Sequence, residues 1–111
     1  MLIMHLHIAQ QVFDSIDASE LPDFKRDLYQ AARRYAGMRV EWRLATSDER
    51  LQMDNARTRA HDALIDTFNI LSREQAKHGE DNSWRKTLGQ DRKSIGDMAA
   101  YIVLFLALSA R

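Results

Sequence analysis

The sequence predicts an all-α fold, a bundle of about four main helices in a single domain spanning residues 1–111. One proline and four glycines in 111 residues leave few turns and therefore favour long helices. Apolar residues recur every three or four positions through most of the chain, which is the period of an amphipathic helix. The last apolar run, MAAYIVLFLAL, is apolar on every side and predicts a helix that must be covered all round.

The first helix is predicted over residues 2–16. Its apolar side carries Leu2, Leu6, Ala9, Phe13 and Ile16. A competing pattern lies at its start, where His5 and His7 alternate with apolar residues as they would in a strand. Alternating histidines can also bind a metal, but a flexible or partner-covered helix end is the interpretation we favour.

The second helix is predicted from Pro22, in the first turn, to about Ala45. Its apolar positions step by four and three residues as in an a/d seam, which suits packing in a bundle or in a dimer. They are Phe24, Leu28, Ala31, Tyr35, Met38, Trp42 and Ala45. A glycine within a helix costs about 1 kcal/mol relative to alanine, so Gly37 is expected to mark the close approach of a neighbouring helix.

The third helix is predicted to begin near residue 47 and to continue to about Lys77. Thr46 and Glu49 have the spacing of a capping box, in which each side chain binds the backbone N–H of the other residue. Gly79 stands where a glycine in the left-handed conformation commonly ends a helix.

A short helical turn is predicted near residues 83–89, with Trp84 as an anchor that seals one end of the bundle. The last helix is predicted from about Asp91 to Ser109. Three partner helices of one chain would nearly cover so apolar a helix, and a second subunit would complete the cover. We therefore predict a homodimer. The candidate interface residues are Tyr35, Trp42, Tyr101 and Phe105.

The third helix also carries a patterned polar stripe. Asp62 and Asp66 are a like-charge pair one helical turn apart, which is unfavourable unless an arginine, a metal ion or solvent ions lie opposite. His61 falls in the neighbouring apolar stripe and is expected to be a buried, hydrogen-bonded core residue. Antiparallel packing of the last helix would complete this stripe without a metal. The predicted network comprises His61, Asp62, Asp66, Asn69, Arg73, Arg92 and Asp97.

Two resemblances are visible in these segments. Ser94-Ile95-Gly96-Asp97, followed by an apolar helix, resembles the second magnesium-binding helix of MazG-type all-α nucleotide pyrophosphohydrolases, with the glutamate of that motif absent. The earlier E-x-x-E helix of that family has no counterpart here. This resemblance implies an alternative function, a divergent nucleotide-binding or nucleotide-hydrolysing protein that holds a divalent metal. Its metal ligands would be Asp62, Asp66 and Asp97.

The second resemblance rests on His61-Asp62-Ala63-x-Ile65-Asp66-x-x-Asn69-Ile70-Leu71-x-Arg73 followed by Asp91-Arg92-x-x-Ile95-x-Asp97. This pairing is similar to a group of small bacterial proteins of unknown function that are often encoded on phages and other mobile elements. It covers about residues 55–105. It implies a compact helical domain and supplies no catalytic residues to carry over.

Composition and missing motifs narrow the function. Sixteen basic and sixteen acidic residues cancel, which argues against nucleic acid or an anionic membrane as a partner. The absence of cysteine excludes disulfides and thiolate sites, and it fits a cytoplasmic location. No Glu-x-x-His pair, H-E-x-x-H or Gly-rich phosphate loop is present, so neither a cofactor nor a catalytic residue is predicted. The leading prediction is a non-enzymatic interaction or accessory protein that acts as a homo-oligomer.

Overall fold

The computed structural model describes residues 2–18 and 23–109, and the side chains of residues 5–14 and 23–107 within them. In these ranges the chain forms an all-α bundle of five helices and no strand. The helices are α1 (Leu2–Ala18), α2 (Phe24–Leu44), α3 (Ser47–Lys77), α4 (Ser83–Leu88) and α5 (Arg92–Ser109). The predicted all-α fold is confirmed. His5 and His7, whose alternation with apolar residues is also typical of a strand, both lie within α1. Pro22, predicted to begin the second helix, lies outside the described residues.

A tight turn joins α2 to α3 and holds them as an antiparallel hairpin. The predicted capping box is present, with the Thr46 N–H donating to Glu49 Oε1 at 2.8 Å and the Glu49 N–H donating to Thr46 Oγ1 at 3.2 Å. Arg50 then reaches back to the last turn of α2. Its Nε donates to the carbonyl of Trp42 at 2.8 Å and its Nη2 to the carbonyl of Arg43 at 3.2 Å. These bonds satisfy carbonyl groups that the end of a helix leaves without a partner.

Two glycines end helices, and the terminator predicted at Gly79 is confirmed. Gly79 has a φ of 67° and ends α3, with its N–H donating to Ala76 O and the N–H of Glu80 donating to Gln75 O. This pair of bonds is the Schellman pattern, in which a glycine tolerates the left-handed conformation that other residues disfavour. Gly89 has a φ of 72° and ends α4.

The second helix lies between α3 and α5 and packs most extensively on both. The start of α2 and the end of α5 share one depression, whereas Arg39 of α2 contacts Asp97 near the start of α5, so these two helices are antiparallel. Since α3 is also antiparallel to α2, α3 and α5 run in the same direction and touch only slightly. The largest fully buried side chains are Val12, Leu28, Tyr35, Leu64, Phe68, Leu71, Ile95, Met98 and Ile102.

The close approach expected at a glycine occurs at Gly96 and not at Gly37. A Cβ added to Gly37 would have no neighbour within 4 Å, because this residue lies on the outward face of α2. A Cβ added to Gly96 would lie 2.8 Å from Arg39 Nη1. Glycine at position 96 therefore leaves space for the guanidinium group that binds Asp97.

The chain covers α5 incompletely. Met98 and Ile102 are fully buried, whereas the side chain of Leu104 is 50% exposed and Ala100 is exposed on the same face. The expectation that this helix is covered on every side is therefore not met within one chain. No helix in the part of the chain that the structure describes is both long enough and apolar enough to span a bilayer.

The two helical glycines should respond differently to alanine. Gly37→Ala should raise the free energy of unfolding by about 0.5–1 kcal/mol, because alanine favours the helix and meets no neighbour. Gly96→Ala should raise the free energy of unfolding less, or lower it, because the new methyl group displaces Arg39 from Asp97. Urea unfolding of both variants measures the difference. An equal gain from both substitutions would show that the space at Gly96 does not matter.

Candidate functional site

Side chains of α3 bind the segment from residue 82 to residue 90, which contains α4. Asn69 Oδ1 accepts a hydrogen bond from Arg85 Nε at 2.6 Å. One and a half turns further along α3, Gln75 Oε1 accepts a bond from the indole Nε1 of Trp84 at 2.8 Å. Trp84 is buried with its ring edge-on to Phe68, as expected of an anchor that seals the bundle.

The same side of α3 makes two further contacts with this segment. Asn82 Nδ2 donates to both the carbonyl and the hydroxyl oxygen of Ser72, at 2.8 and 3.0 Å. His61 Nε2 lies 3.0 Å from the carbonyl oxygen of Gln90. A carbonyl can only accept, so Nε2 carries the hydrogen of this bond. The polar positions of α3 therefore hold α4 and its flanking residues in place.

The predicted burial of His61 is confirmed, since this residue is 8% exposed. Its ring packs edge-on against Tyr35 of α2, with 5.4 Å between the ring centroids, and its Nδ1 lies 3.3 Å from Asp62 Oδ1. Burial raises the pKa of Tyr35 above 10.0, although the charges of nearby arginines oppose this shift. His61 thus links α2, α3 and the loop before α5 in one packed contact.

A polar cleft opens where α3 meets α4. We call it the α3–α4 cleft; it has a volume of about 560 Å³. Burial within it lowers the pKa of Arg85, because removal from water disfavours the charged guanidinium. Its lining residues are Asn69, Ser72, Asn82, Ser83, Arg85, Lys86, Gly89 and Gln90.

The polar network predicted between α3 and the last helix does not form as one unit. Asp66 and Arg73 are exposed, and neither forms an ion pair with any described residue. Arg92 donates from Nη2 to Thr58 Oγ1 at 2.8 Å, and its carbonyl lies 3.5 Å from the hydroxyl of Tyr35. The antiparallel packing of the last helix on the third, on which this network depended, does not occur, because α2 lies between α3 and α5 and both run antiparallel to it.

Asp97 belongs to a different cluster, which we call the Asp97 cluster with Arg39 and His5. Arg39 Nη2 lies 3.0 Å from Asp97 Oδ1, and His5 Nδ1 lies 3.5 Å from Oδ2. The Asp97 side chain is 17% exposed, so a cation from α2 neutralises a largely buried carboxylate of α5.

This arrangement does not bring Asp62, Asp66 and Asp97 together as ligands of the alternative metal site. Asp62 is exposed on α3, and Asp97 lies in a separate cluster. Among the described residues, no three His, Asp or Glu side chains lie close enough together to hold a metal ion.

The four candidate interface residues differ in accessibility. Tyr35 is buried inside the chain, so another subunit cannot reach it. Trp42 is half-buried, and the guanidinium carbons of Arg50 and Arg57 lie over its ring at 4.1 and 4.2 Å. Tyr101 and Phe105 are half-buried and stacked, with 6.4 Å between the ring centroids. Of the four predicted interface residues, only the half-buried Trp42, Tyr101 and Phe105 therefore remain accessible to a second subunit.

Sequence reasoning missed several site residues, namely Ser72, Gln75, Asn82, Arg85 and Lys86. The available signal was the polar segment between the third and last helices, in which Arg85 and Lys86 are adjacent and Gly89 follows. Only the fold brings this segment against Asn69 and Ser72.

Comparison of the chain with protein-family models, curated proteins and solved structures finds no match. The resemblances to MazG-type enzymes and to proteins of mobile elements therefore stay predictions, and function must be argued from the geometry.

Breaking the contact between Gln75 and Trp84 should destabilise the fold. Gln75→Leu leaves the buried indole N–H without an acceptor, which should cost about 1–3 kcal/mol. Trp84→Phe in the same chain removes that donor, so the double variant should cost less than the sum of the single variants. Urea unfolding of all four proteins gives the coupling. Additive costs would show that this hydrogen bond does not hold α4.

Asp91 should contribute a pH-dependent stability. Hydrogen bonds from Ser94, of which the backbone N–H bond to Oδ2 measures 3.1 Å, and more weakly the charge of His5, lower the pKa of Asp91 below 3.8. The contribution is therefore complete above the unfolded value and is lost as the pH falls through the folded one. Asp91→Asn keeps a capping oxygen that does not titrate, so its unfolding free energy should fall less between about pH 5 and pH 2.

Urea unfolding at a series of pH values measures this difference. Asp54→Asn, a change at an exposed aspartate of α3, is the matched control and should keep the wild-type pH dependence. Equal acid sensitivity in all three proteins would contradict a role for Asp91.

Proposed function

We propose that this protein is a non-enzymatic interaction protein that acts as a homodimer through the outer faces of α2 and α5. The observation that carries this proposal is the exposure of large apolar side chains on these faces. Val40 of α2 is 59% exposed and Leu104 of α5 is 50% exposed. We call the surface formed by Ala36, Val40, Ala100 and Leu104 the α2–α5 face.

These residues lie together. Ala36, Val40 and Ala100 line one depression of about 310 Å³ between the two helices, together with Gly96 and the charged side chains of Arg39, Arg43 and Asp97. Leu104 follows Ala100 by four residues and so lies one turn further on the same side of α5. Exposed apolar side chains grouped in this way typically mark an interaction site, since their removal from water contributes about 25 cal/mol per Å².

A second copy of the chain is the occupant that the charges favour. A two-fold interface pairs a surface with itself, so both signs of charge must be present at its rim. Glu41 and Arg43 flank Val40 on either side of α2, and both are exposed. The sixteen basic and sixteen acidic residues of the chain cancel, so two copies do not repel each other through net charge.

Sedimentation equilibrium at micromolar concentration tests the proposal. The wild-type chain should sediment as a dimer, and Leu104→Asp or Val40→Asp should give folded monomers, because a charge placed in the interface loses its water. Ile70→Asp is the matched control. Ile70 is 42% exposed on α3, away from the α2–α5 face, so its variant should remain dimeric.

Circular dichroism and a cooperative urea transition establish that each variant is folded. A monomeric wild-type protein would contradict the proposal. Equal dissociation of the Ile70→Asp variant would show that the dimer does not use the α2–α5 face.

A further inference from the structure

The α3–α4 cleft concentrates positive charge in a chain whose charges otherwise cancel. Arg85 and Lys86 both line it, and none of the described residues that line it is an Asp or Glu. Two carboxylates adjoin its lining residues along the chain, and each accepts a backbone N–H: Asp81 Oδ1 accepts that of Ser83 at 2.9 Å and Asp91 Oδ2 accepts that of Ser94 at 3.1 Å. Lys86 is exposed and forms no ion pair within residues 23–107.

The guanidinium group of Arg85 is fixed before any ligand arrives. Its Nε donates to Asn69 Oδ1 at 2.6 Å, and its Nη1 donates to the carbonyl of Gly89 at 2.7 Å. Both acceptors are neutral, so the positive charge is oriented without being cancelled. The remaining terminal nitrogen, Nη2, has no partner among the described residues and keeps its two hydrogens for donation. A fork held in this way loses little freedom when an anion binds.

Neutral donors come from two other sides of the cleft. Ser72 Oγ accepts from Asn82 Nδ2, so the hydrogen of its own hydroxyl is available to a ligand. Ser83 adds a second hydroxyl at the start of α4. Donors from α3 and from α4 therefore meet around one space.

From this geometry we propose that the α3–α4 cleft binds the phosphate group of a small phosphate monoester. Two cations and two hydroxyl groups around one space match a dianion with three terminal oxygens better than a carboxylate, which has one charge and two oxygens. The volume of about 560 Å³ leaves room for the organic part of a small molecule. The site lies on α3 and α4 and does not depend on dimerisation through α2 and α5.

Titration of the ¹⁵N-labelled full chain with phenyl phosphate, at constant ionic strength, tests the proposal. Saturable shifts are expected for the side-chain amides of Asn69 and Asn82 and for the backbone N–H of Ser83. The amide of Asn55, exposed on α3 outside the cleft, should not move. Shifts that do not saturate, or that spread equally to Asn55, would overturn the proposal. Benzoate is the carboxylate control, and binding as tight as that of phenyl phosphate would overturn the assignment to phosphate.

Two variants and one control test whether the charges of Lys86 and Arg85 bind the phosphate. Lys86→Met should weaken phenyl phosphate binding by about tenfold, because it removes one charged hydrogen bond to the phosphate. Arg34→Met removes one positive charge from the exposed side of α2 and should leave the affinity unchanged. Arg85→Lys keeps the charge but loses the fork and should also weaken binding. Equal affinity of the Lys86→Met and Arg34→Met proteins would overturn the proposal.

The Leu104→Asp variant separates this site from the proposed dimer. It should bind phenyl phosphate as the wild-type chain does, whether or not it dissociates. Loss of phosphate binding in a folded Leu104→Asp protein would contradict a site confined to α3 and α4.

Discussion

The position of α2 between α3 and α5 is the constraint on which the rest of this structure depends. Its inner side packs Leu28, Ala32 and Tyr35 into the core, and both neighbouring helices run antiparallel to it. This arrangement keeps α3 and α5 apart and makes them parallel. Most of the polar side of α3 therefore cannot be completed by α5, which reaches it through the bond of Arg92 to Thr58. It is left to the segment that connects the two helices, which must return along the bundle because α3 and α5 run in the same direction.

That return explains why α4 and its flanking residues are bound so closely by side chains. A six-residue helix has too few internal hydrogen bonds to be stable alone, and its stability must come from tertiary contacts. Trp84 and Leu88 supply apolar anchors, while Asn69 and Gln75 supply hydrogen bonds from α3. The same contacts that hold the connection also leave a basic, hydroxyl-lined cleft beside it. Structural support and a proposed binding site thus share residues.

The contacts of α5 have a different chemistry. The Asp97 cluster joins three helices, because Arg39 of α2 and His5 of α1 meet one carboxylate of α5 above the space left by Gly96. Beyond that cluster α5 packs mainly on α1 and α2 and contacts α3 only slightly, so one of its faces stays exposed. No other long helix in the part of the chain that the structure describes covers Leu104.

Local signals in the sequence determined the helices and their ends. The capping box at Thr46 and the glycine at position 79 act within a few residues, so their pattern is legible without the fold. The burial of His61 and the anchoring role of Trp84 also followed from helical periodicity or composition nearby. What the tertiary structure decided was which helices are neighbours. Periodicity shows that a face is apolar or polar, but it carries no information about the element that meets that face. For this reason Asp97 was assigned to the wrong helix and Gly37 to a neighbour that it does not have, whereas Arg92 does contact α3, at Thr58. The contact between Asn69 and Arg85 likewise depends on which elements are neighbours.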